Sequence, residues 1–495
     1  MGAGTWWTPR RAIAALVLVS ALLMIPALLT TPMVHDSWWI DIVWADQFTN
    51  ALRHGQLYPR WLPESFEGLG APVFYFYPPG AFYLVSLFGL AGLSAYPALL
   101  AAFFTVSTGG AIATWQWLRG WTRRPLAGAM VALLAPYHLC DFYRRGAIAE
   151  ATAAALLPLL AMALRRAGAG RGWGAAALAY AAIVMTHLPL ALIASLFLIA
   201  PWGGWMIWRN RAAALPLAAG IGVGLALSAF YLIPALGLQP AISAGQLWGL
   251  PGLTADNWSI WRYGHWPDVG IMLVMLLLTG SMIAAALICD GGRRERWTLW
   301  TIACSLLAIG AVPGLWRLPP LDHVQFAWRT MALAEFGLAI AIARSRASPA
   351  LVAAPLIPLA FISMLFLQPI HSDSGETPAS LVARHPDVTE YLPAGLFEGL
   401  TRDWERVTAT ARAAPAVHYE EGETTVRRFH FPAWEAWCPS GRTETYPAPD
   451  TRLLRYRGRD CRVRLGMTGY EKIGGTLSLA ALFLLCGLAV RRRRR

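Results

Sequence analysis

Residues 73–92, VFYFYPPGAFYLVSLFGLAG, decide how many times this chain crosses a membrane. The segment is apolar and long enough to span a hydrocarbon core about 30 Å thick. Its first half, however, holds four consecutive aromatic residues and the pair Pro78–Pro79. Proline lacks the amide donor of a straight helix and clashes with the preceding turn, and aromatic residues are typical of the membrane interface. The segment therefore predicts a re-entrant or interfacial helix on the outer side, not a span.

The composition is that of a multi-span membrane protein. Of 495 residues, 56% are hydrophobic and 14% are charged, and the mean hydropathy is +0.45, whereas soluble globular chains carry about 25% charged residues. The first apolar stretch has no clear small-x-small cleavage site, so we interpret it as a retained anchor. Thirteen stretches are apolar enough to cross: 12–30, 73–92, 95–118, 125–140, 150–165, 173–187, 188–207, 212–232, 270–289, 297–315, 329–344, 349–368 and 474–490.

Arginine clusters between the apolar stretches indicate which of them cross. The net charge is +13, and Lys472 is the only lysine. Basic loops stay on the cytoplasmic side, and the twelve stretches that remain without 73–92 place every cluster there, with both termini cytoplasmic. Thirteen spans would invert most of the clusters. Basic residues spread in this way are not the basic patch of a nucleic-acid-binding protein, so we expect no nucleic-acid partner. The clusters are Arg10/Arg11, Arg119/Arg123/Arg124, Arg165/Arg166/Arg171, Arg209/Arg211, Arg293/Arg294/Arg296, Arg344/Arg346 and Arg491 to Arg495.

This topology divides the chain into three parts. Residues 1–368 form an all-α polytopic bundle whose first external loop is 31–94, residues 369–473 form an extracytoplasmic module, and residues 474–495 hold the last span and an arginine tail. In the module, ETTVRRFHF and RLLRYRGRDCRVRLGM alternate as β-strands do. Cys438 and Cys461 both lie there, and an oxidising compartment favours a disulfide between them.

Asp36, directly after the first span, is the first candidate site residue. It lies beside His35, before a predicted amphipathic helix over 38–54 with Asp46 and Gln47 on its polar side. Asp36 could cap that helix by accepting a backbone amide, or it could act as a general base at the membrane surface. Spacing alone leaves both roles open.

A second group of charged residues lies in the predicted external turn around 141–149. Asp141, Arg144, Arg145 and Glu150 are close together in DFYRRGAIAE. Arginines outside the membrane run against the positive-inside rule, and a guanidinium forms bidentate bonds to phosphate. A phosphate clamp and a local ion-pair cluster are both consistent with this pattern.

Two further external turns carry polar residues of the same kind. His187 lies in VMTHLPLAL, where a lone histidine is more often a turn residue than a ligand. LDHVQFAWRT places Asp322, His323, Gln325 and Arg329 before the tenth span. Arg329 again places a positive charge outside. Two loops that each carry such an unexpected external charge favour an anionic ligand between them.

These segments resemble known bacterial membrane proteins. HDSWW, the loop ALRHGQLYPRWLPESFEGLGAPVFYFYPPGAFYL, APYHLCDFYRRGAIAEATAAALLPL, AFYLIPAL and VQFAWRTMALAE resemble the 6-pyruvoyl-tetrahydropterin synthase-related family, although nothing here indicates pterin chemistry. FHFPAWEAW and TGYEKIGGTLSL are also similar to YfhO-like proteins. Both groups resemble the GT-C superfamily of membrane glycosyltransferases, which transfer a sugar from a polyprenyl-phosphate carrier on the outer face of the membrane.

The resemblance implies a bacterial inner-membrane glycosyltransferase of the cell envelope. Asp36 takes the position of the catalytic carboxylate, and the donor pocket would include His35, Asp141, Arg144, Arg145, Glu150, His187, Gln325 and Arg329. The donor would be a polyprenyl-phosphate-linked sugar, and the acceptor a saccharide, a lipid or a protein. Because no Asp-x-Asp pair stands at Asp36, dependence on Mg²⁺ or Mn²⁺ stays open.

The alternative is a lipid or polysaccharide translocator without glycosyl transfer. A transporter usually places its ionisable groups near the midplane of its spans, whereas the polar groups predicted here gather at one face. That difference favours the glycosyltransferase.

Overall fold

The computed structural model describes residues 8–245, 250–368, 375–396 and 403–493, so Arg494 and Arg495 of the predicted tail lie outside it. The described part of the chain is mainly helical. The helices are α1 (Pro9–Leu29), α2 (Ser37–Arg53), α3 (Ser65–Gly68), α4 (Val73–Phe76), α5 (Gly80–Leu90), α6 (Ala95–Leu118), α7 (Pro125–Leu134), α8 (Pro136–Cys140), α9 (Ile148–Gly168), α10 (Trp173–Val184), α11 (Leu188–Ala194), α12 (Ala200–Arg209), α13 (Ala214–Leu227), α14 (Ala229–Gly237), α15 (Val269–Asp290), α16 (Arg296–Ala308), α17 (Met331–Arg344), α18 (Pro349–Phe366), α19 (Pro378–Arg384), α20 (Asp403–Ala413) and α21 (Gly469–Arg493).

Helices occur at all twelve positions predicted to cross, but they differ in length. Among the described residues, seven segments are long and apolar enough to span a membrane: Pro9–Leu29, Ala95–Leu118, Pro125–Arg145, Ile148–Gly168, Leu188–Arg209, Val269–Asp290 and Gly469–Leu488. Arg211–Leu227 and Ala229–Gly237, bent by 64°, make an eighth if they form one span. The chain is therefore a multi-pass membrane protein, while the count of twelve spans and the orientation of the termini stay predictions.

The segment 73–92 forms two short helices with a break between them. Helix α4 ends at Phe76, Tyr77 is extended before Pro78, as the residue before a proline usually is, and α5 has only 11 residues. At 1.5 Å per residue α5 is about 16 Å long, roughly half the hydrocarbon thickness. The amide of Gly80 donates to the Met185 carbonyl at 2.7 Å, and a β-carbon at Gly80 would lie 2.6 Å from that oxygen. The segment is thus held against the turn that contains His187.

Helix α2 forms where the sequence predicts it, but it is more buried than an amphipathic pattern indicates. Gln47, expected on the polar side, is 4% exposed. Its side-chain amide donates to Ser65 Oγ at 3.2 Å, and its Oε1 accepts from the backbone amide of Glu64 at 3.0 Å. The rest of the first loop surrounds α2 and satisfies the polar atoms that the sequence pattern had assigned to water.

The predicted β-rich module is present near the C-terminus. Its strands, β1 (Val417–Glu420), β2 (Glu423–Phe429), β3 (Trp434–Cys438), β4 (Gly441–Thr443), β5 (Thr445–Pro447), β6 (Leu453–Arg457) and β7 (Arg462–Leu465), form antiparallel sheets in the orders β1-β2-β6-β5 and β4-β3-β7. A disulfide joins Cys438 and Cys461.

The module packs on the first loop mainly through aromatic rings. Phe431 contacts Trp61 and Tyr75 with centroid distances of 6.1 and 4.7 Å, and Trp61 meets Trp434 at 5.1 Å. Burial of large aromatic side chains dominates contacts of this kind. The module therefore covers the loop that carries Asp36.

Candidate active site

A cavity of about 1320 Å³ lies beside the start of α2. Its charged and polar lining includes residues from five separated parts of the chain: Asp36 and Asp41; Arg144 and Arg145; His187; His323, Gln325 and Arg329; and Glu390. Six of these, Asp36, Arg144, Arg145, His187, Gln325 and Arg329, are residues that the sequence had predicted as a site. The fold thus brings together side chains that are up to roughly 300 positions apart in the chain.

A π-helical turn directs the two arginines of the second group. Asp141–Arg145 adopts this wider helix, which ends at Gly146 with φ +66°. Single π turns are frequent at functional sites. A β-carbon at Gly146 would lie 2.6 Å from the Trp38 ring, and the Trp38 indole donates to the Phe142 carbonyl at 3.0 Å. The loop after the first span and the arginine turn are therefore packed together as one unit.

Glu150 is the centre of a buried ion-pair cluster. One of its oxygens accepts from Arg145 Nη1 at 2.8 Å and from Arg329 Nε at 3.3 Å, and the other accepts from Tyr137 Oη at 2.7 Å. Arg145 also donates to Asp141 at 2.6 Å. Asp141 and Glu150 are each 1% exposed, and neither lines the large cavity. These two carboxylates pair with arginines in the structure. The local ion-pair cluster, one of the two interpretations that the sequence allowed, is therefore present.

Arg144 differs from its neighbour because no carboxylate of the described residues lies within 4 Å of it. Its guanidinium donates to the Leu365 carbonyl at 2.8 Å and lines the cavity. A neutral carbonyl does not offset the positive charge of a guanidinium, so that charge remains available to an anion. The two interpretations of the arginine pair thus separate by residue: Arg145 belongs to the ion-pair cluster, and Arg144 carries uncompensated charge into the cavity.

Arg329 and Gln325 reach the cavity from the turn before α17. Besides Glu150, Arg329 donates to the Val324 carbonyl at 2.5 Å, and its guanidinium lies 5.0 Å from the Phe326 ring centroid. Gln325 has φ +68°, a conformation that is uncommon for a residue other than glycine. The contacts on Arg329 leave it positioned rather than mobile at the cavity wall.

Asp36 is exposed at the N-terminus of α2, but its side chain accepts no capping bond from the helix. The contact recorded for its carboxylate is Ser37 Oγ at 3.4 Å. Its backbone has φ 45° and ψ −131°, and unusual dihedrals of this kind cluster at functional sites. The hypothesis that Asp36 is a helix cap was wrong, since the side chain faces the cavity instead of the backbone amides.

His35 and His187 have different surroundings. His35 is half-buried and is absent from the cavity lining. His187 lines the cavity and also caps α11, because its Nδ1 accepts from the Leu190 amide at 3.2 Å. Burial lowers the pKa of His187 to about 3, although Glu150, with its oxygen 3.9 Å from Nε2, opposes the shift. Its ring is therefore neutral near pH 7.

Two carboxylates in the cavity were not assigned from the sequence. Asp41 is 2% exposed, and its Oδ2 has no hydrogen-bond partner among the described residues. Burial, and then the charge of Asp36, raise the pKa of Asp41. Glu390 comes from the C-terminal module, and burial raises its pKa to about 7. Asp41 is five residues after Asp36, a spacing that does not place two residues on one face of a helix, and no local pattern marks Glu390.

One wall of the cavity is apolar. Helix α14 contributes Leu232 and Leu236, and α15 contributes Ile271, Val274 and Leu278. Leu236 and Ile271 are 73% and 43% exposed, so this wall offers accessible apolar surface next to the charged residues.

The part of the chain that the structure describes holds no group of three or more His, Cys, Asp or Glu residues able to bind a metal ion. Mg²⁺ is commonly held by only one or two carboxylates together with substrate phosphates. Asp36 and Asp41 line the same cavity, and one oxygen of Asp41 has no partner among the described residues.

Comparison with known proteins finds neither a matching family model nor a matching curated protein. Among solved structures, the chain is similar to the arabinofuranosyltransferase AftD from Mycobacteria, with 20% identity and a TM-score of 0.44 over 72% of this chain. It spans 26% of AftD, about a quarter of that protein's length. It is also similar to ArnT from Cupriavidus metallidurans bound to undecaprenyl phosphate, with 13% identity and a TM-score of 0.43 over 74% of this chain and 64% of ArnT.

Both solved structures have a TM-score below 0.5 against this chain. The more specific resemblance to the 6-pyruvoyl-tetrahydropterin synthase-related and YfhO-like proteins has no support from the family search.

Proposed function

We propose that this chain is a membrane glycosyltransferase that moves a sugar from a polyprenyl-phosphate donor to an acceptor at the outer face. The observation that supports this most directly is the cavity itself. It combines an exposed carboxylate, Asp36, a guanidinium that has no carboxylate within 4 Å among the described residues, Arg144, and an apolar wall. A donor of this class has a sugar, a phosphate and a long apolar tail, and each part matches one of these features.

The chemistry of transfer assigns the roles. Attack of an acceptor hydroxyl on the anomeric carbon forms the new C–O bond and breaks the bond to the phosphate oxygen, which leaves with the electron pair. Asp36 takes the proton of the acceptor hydroxyl as general base. Arg144 and Arg329 stabilise the negative charge that grows on the departing phosphate. A single displacement of this kind inverts the anomeric centre.

Arg145, Asp141 and Glu150 position this machinery. Glu150 joins Arg145 to Arg329 across the cavity wall, so it sets the orientation of a phosphate-binding arginine without contacting the donor. His187, neutral and fixed as a cap, offers its Nε2 side to the same region. Where a divalent cation is bound, Asp36 and Asp41 would hold it, and it would neutralise charge on the phosphate.

The apolar wall accounts for the prenyl tail. This wall is lined by Leu232 and Leu236 of α14 and by Val274 of α15. Each buried CH₂ group contributes about 0.8 kcal/mol, so a tail in this groove supplies most of the donor's affinity while the arginines select its head group.

The test is sugar transfer by Asp36→Asn in membranes that contain the donor. Loss of a general base lowers the rate by about 10² to 10⁴-fold, while unfolding should be unchanged because Asp36 is exposed. Asp46→Asn is the matched control, since Asp46 lies on the same helix and outside the cavity lining. Full activity of Asp36→Asn would overturn the assignment. Flipping of a lipid-linked saccharide without transfer, unchanged by the substitution, would favour the translocator.

A further inference from the structure

A second cavity of about 530 Å³ lies at the opposite end of α17 from the proposed active site. Helix α17 begins just after Arg329 and ends at Arg344, which lines this second cavity. Helices α12 and α16 contribute Trp202, Trp205 and Trp297, among others. Its volume is within the range of about 300–1,000 Å³ typical of ligand sites.

The cavity lies where the arginine pattern predicts the cytoplasmic surface of the membrane. Arg296 begins α16, Arg344 ends α17, and both belong to clusters predicted to be cytoplasmic. Tryptophan is enriched at this depth of a membrane protein, and Trp202 meets Trp297 at a centroid distance of 5.3 Å. The cavity thus has an aromatic wall on the membrane side and arginines at its polar side.

The charges around this cavity do not cancel. Glu295 forms an ion pair with Arg344 at 2.5 Å and lies 3.9 Å from Arg293. Arg296 has no carboxylate within 4 Å among the described residues, and its guanidinium lies 4.5 Å from the Trp205 ring centroid. Arg296 and Arg344 line the cavity together with Glu295, so the lining carries net positive charge and favours an anion.

A buried donor points to the same kind of ligand. The indole nitrogen of Trp205 is buried without a hydrogen-bond partner among the described residues, whereas the indole of Trp300 donates to the Phe197 carbonyl at 2.5 Å. A buried donor without a partner is costly. An acceptor oxygen in the cavity, next to Arg296, would satisfy it.

We propose that this cavity binds the phosphate head group of an anionic phospholipid in the leaflet on that side. Arg296 and the Trp205 indole hold the phosphate, and the tryptophan wall contacts the glycerol and the start of the acyl chains. Cytoplasmic leaflets are rich in anionic lipids, and basic pockets between helices bind their head groups. The site does not depend on the glycosyltransferase reaction.

The test is native mass spectrometry of the full chain in detergent, titrated with phosphatidylglycerol or phosphatidylcholine. One arginine near the surface contributes about 1 kcal/mol to binding of anionic lipid, so Arg296→Gln should bind phosphatidylglycerol about fivefold more weakly. Arg166→Gln, which removes an exposed arginine of another cluster outside this cavity, is the matched control and should bind as the unmodified chain does.

A second variant tests the buried donor. Trp205→Phe keeps an aromatic ring and removes the N–H, and it should lower binding of both lipids. Three results would overturn the proposal. Equal losses of phosphatidylglycerol binding in Arg296→Gln and Arg166→Gln would indicate diffuse attraction, and unchanged binding in both Arg296→Gln and Trp205→Phe would leave the cavity without a role. Displacement of the lipid by an equal concentration of free glycerol phosphate would indicate a site for a soluble anion.

Discussion

Replacing Glu150 by Gln tests whether the buried arginines depend on this one carboxylate. Arg145 and Arg329 both donate to the same oxygen, at 2.8 and 3.3 Å. After the substitution Arg145 still has Asp141 at 2.6 Å. Arg329, which is 6% exposed, keeps the Val324 carbonyl and the Phe326 ring, neither of which carries a charge. The substitution therefore leaves one buried cation without a counter-charge.

The expected cost follows from that difference. Removing one partner of a buried ion pair destabilises a protein by about 3–5 kcal/mol, and we expect this range for Glu150→Gln. Asp141→Asn is the matched comparison, because Arg145 retains Glu150 and the Tyr137 hydroxyl. Loss of one hydrogen bond to a charged group costs about 1.5–3 kcal/mol. The free energy of unfolding should thus fall further for Glu150→Gln than for Asp141→Asn.

The assay is reversible unfolding of the purified chain in mixed micelles, followed by tryptophan fluorescence. The double variant Glu150→Gln/Arg329→Gln removes both the carboxylate and the cation that it leaves unpaired. Its loss of stability should be smaller than the sum of the two single losses, by about 0.5–3 kcal/mol. Strict additivity, or a larger loss in Asp141→Asn than in Glu150→Gln, would refute the reasoning.

Three further predictions concern packing, pH and topology. Gly146→Ala should destabilise the chain by about 1–3 kcal/mol, because its β-carbon would meet the Trp38 ring at 2.6 Å; Ala149→Gly, a similar change in size nearby in α9, should cost only about 0.5–1 kcal/mol. Burial raises the pKa of Asp387 to about 7, so the folded state holds its proton more tightly than the unfolded state does. That stabilisation is complete below about pH 4 and is lost as the pH rises to about 7; Asp387→Asn should flatten this pH dependence of unfolding, and an unchanged slope would contradict it. A reporter fused at Leu93 should be external, and a cytoplasmic signal there would break the twelve-span topology.

Local patterns explain what could be predicted about the elements. Apolar runs form helices at the predicted positions because both a membrane and a protein interior exclude unpaired backbone groups. The proline pair in 73–92 stops α4 and starts α5 through the geometry of the residues themselves. Alternation predicted the strands of the module for the same reason, since side chains of a strand point to opposite faces.

The lining of the large cavity was predicted in part. The sequence marked six of its polar residues in turns that it predicts to be external, because charge next to an apolar run is visible without a structure: Asp36, Arg144, Arg145, His187, Gln325 and Arg329. It did not reveal the burial of α2 or the cavity positions of Asp41 and Glu390. The burial of α2 and these two positions depend on packing between the C-terminal module and the first loop, which no local pattern shows.

By itself, the sequence determined that this chain is a helical membrane protein with its polar residues gathered in a few turns. Only the tertiary structure decided what each charge does. Arg144 and Arg145 are adjacent in sequence, but Arg145 meets two buried carboxylates and Arg144 meets a neutral carbonyl. Glu150 finds Arg329 at a separation of 179 residues. The physical reason is that Coulomb attraction depends on distance in space and on burial, and neither can be read from neighbours along the chain.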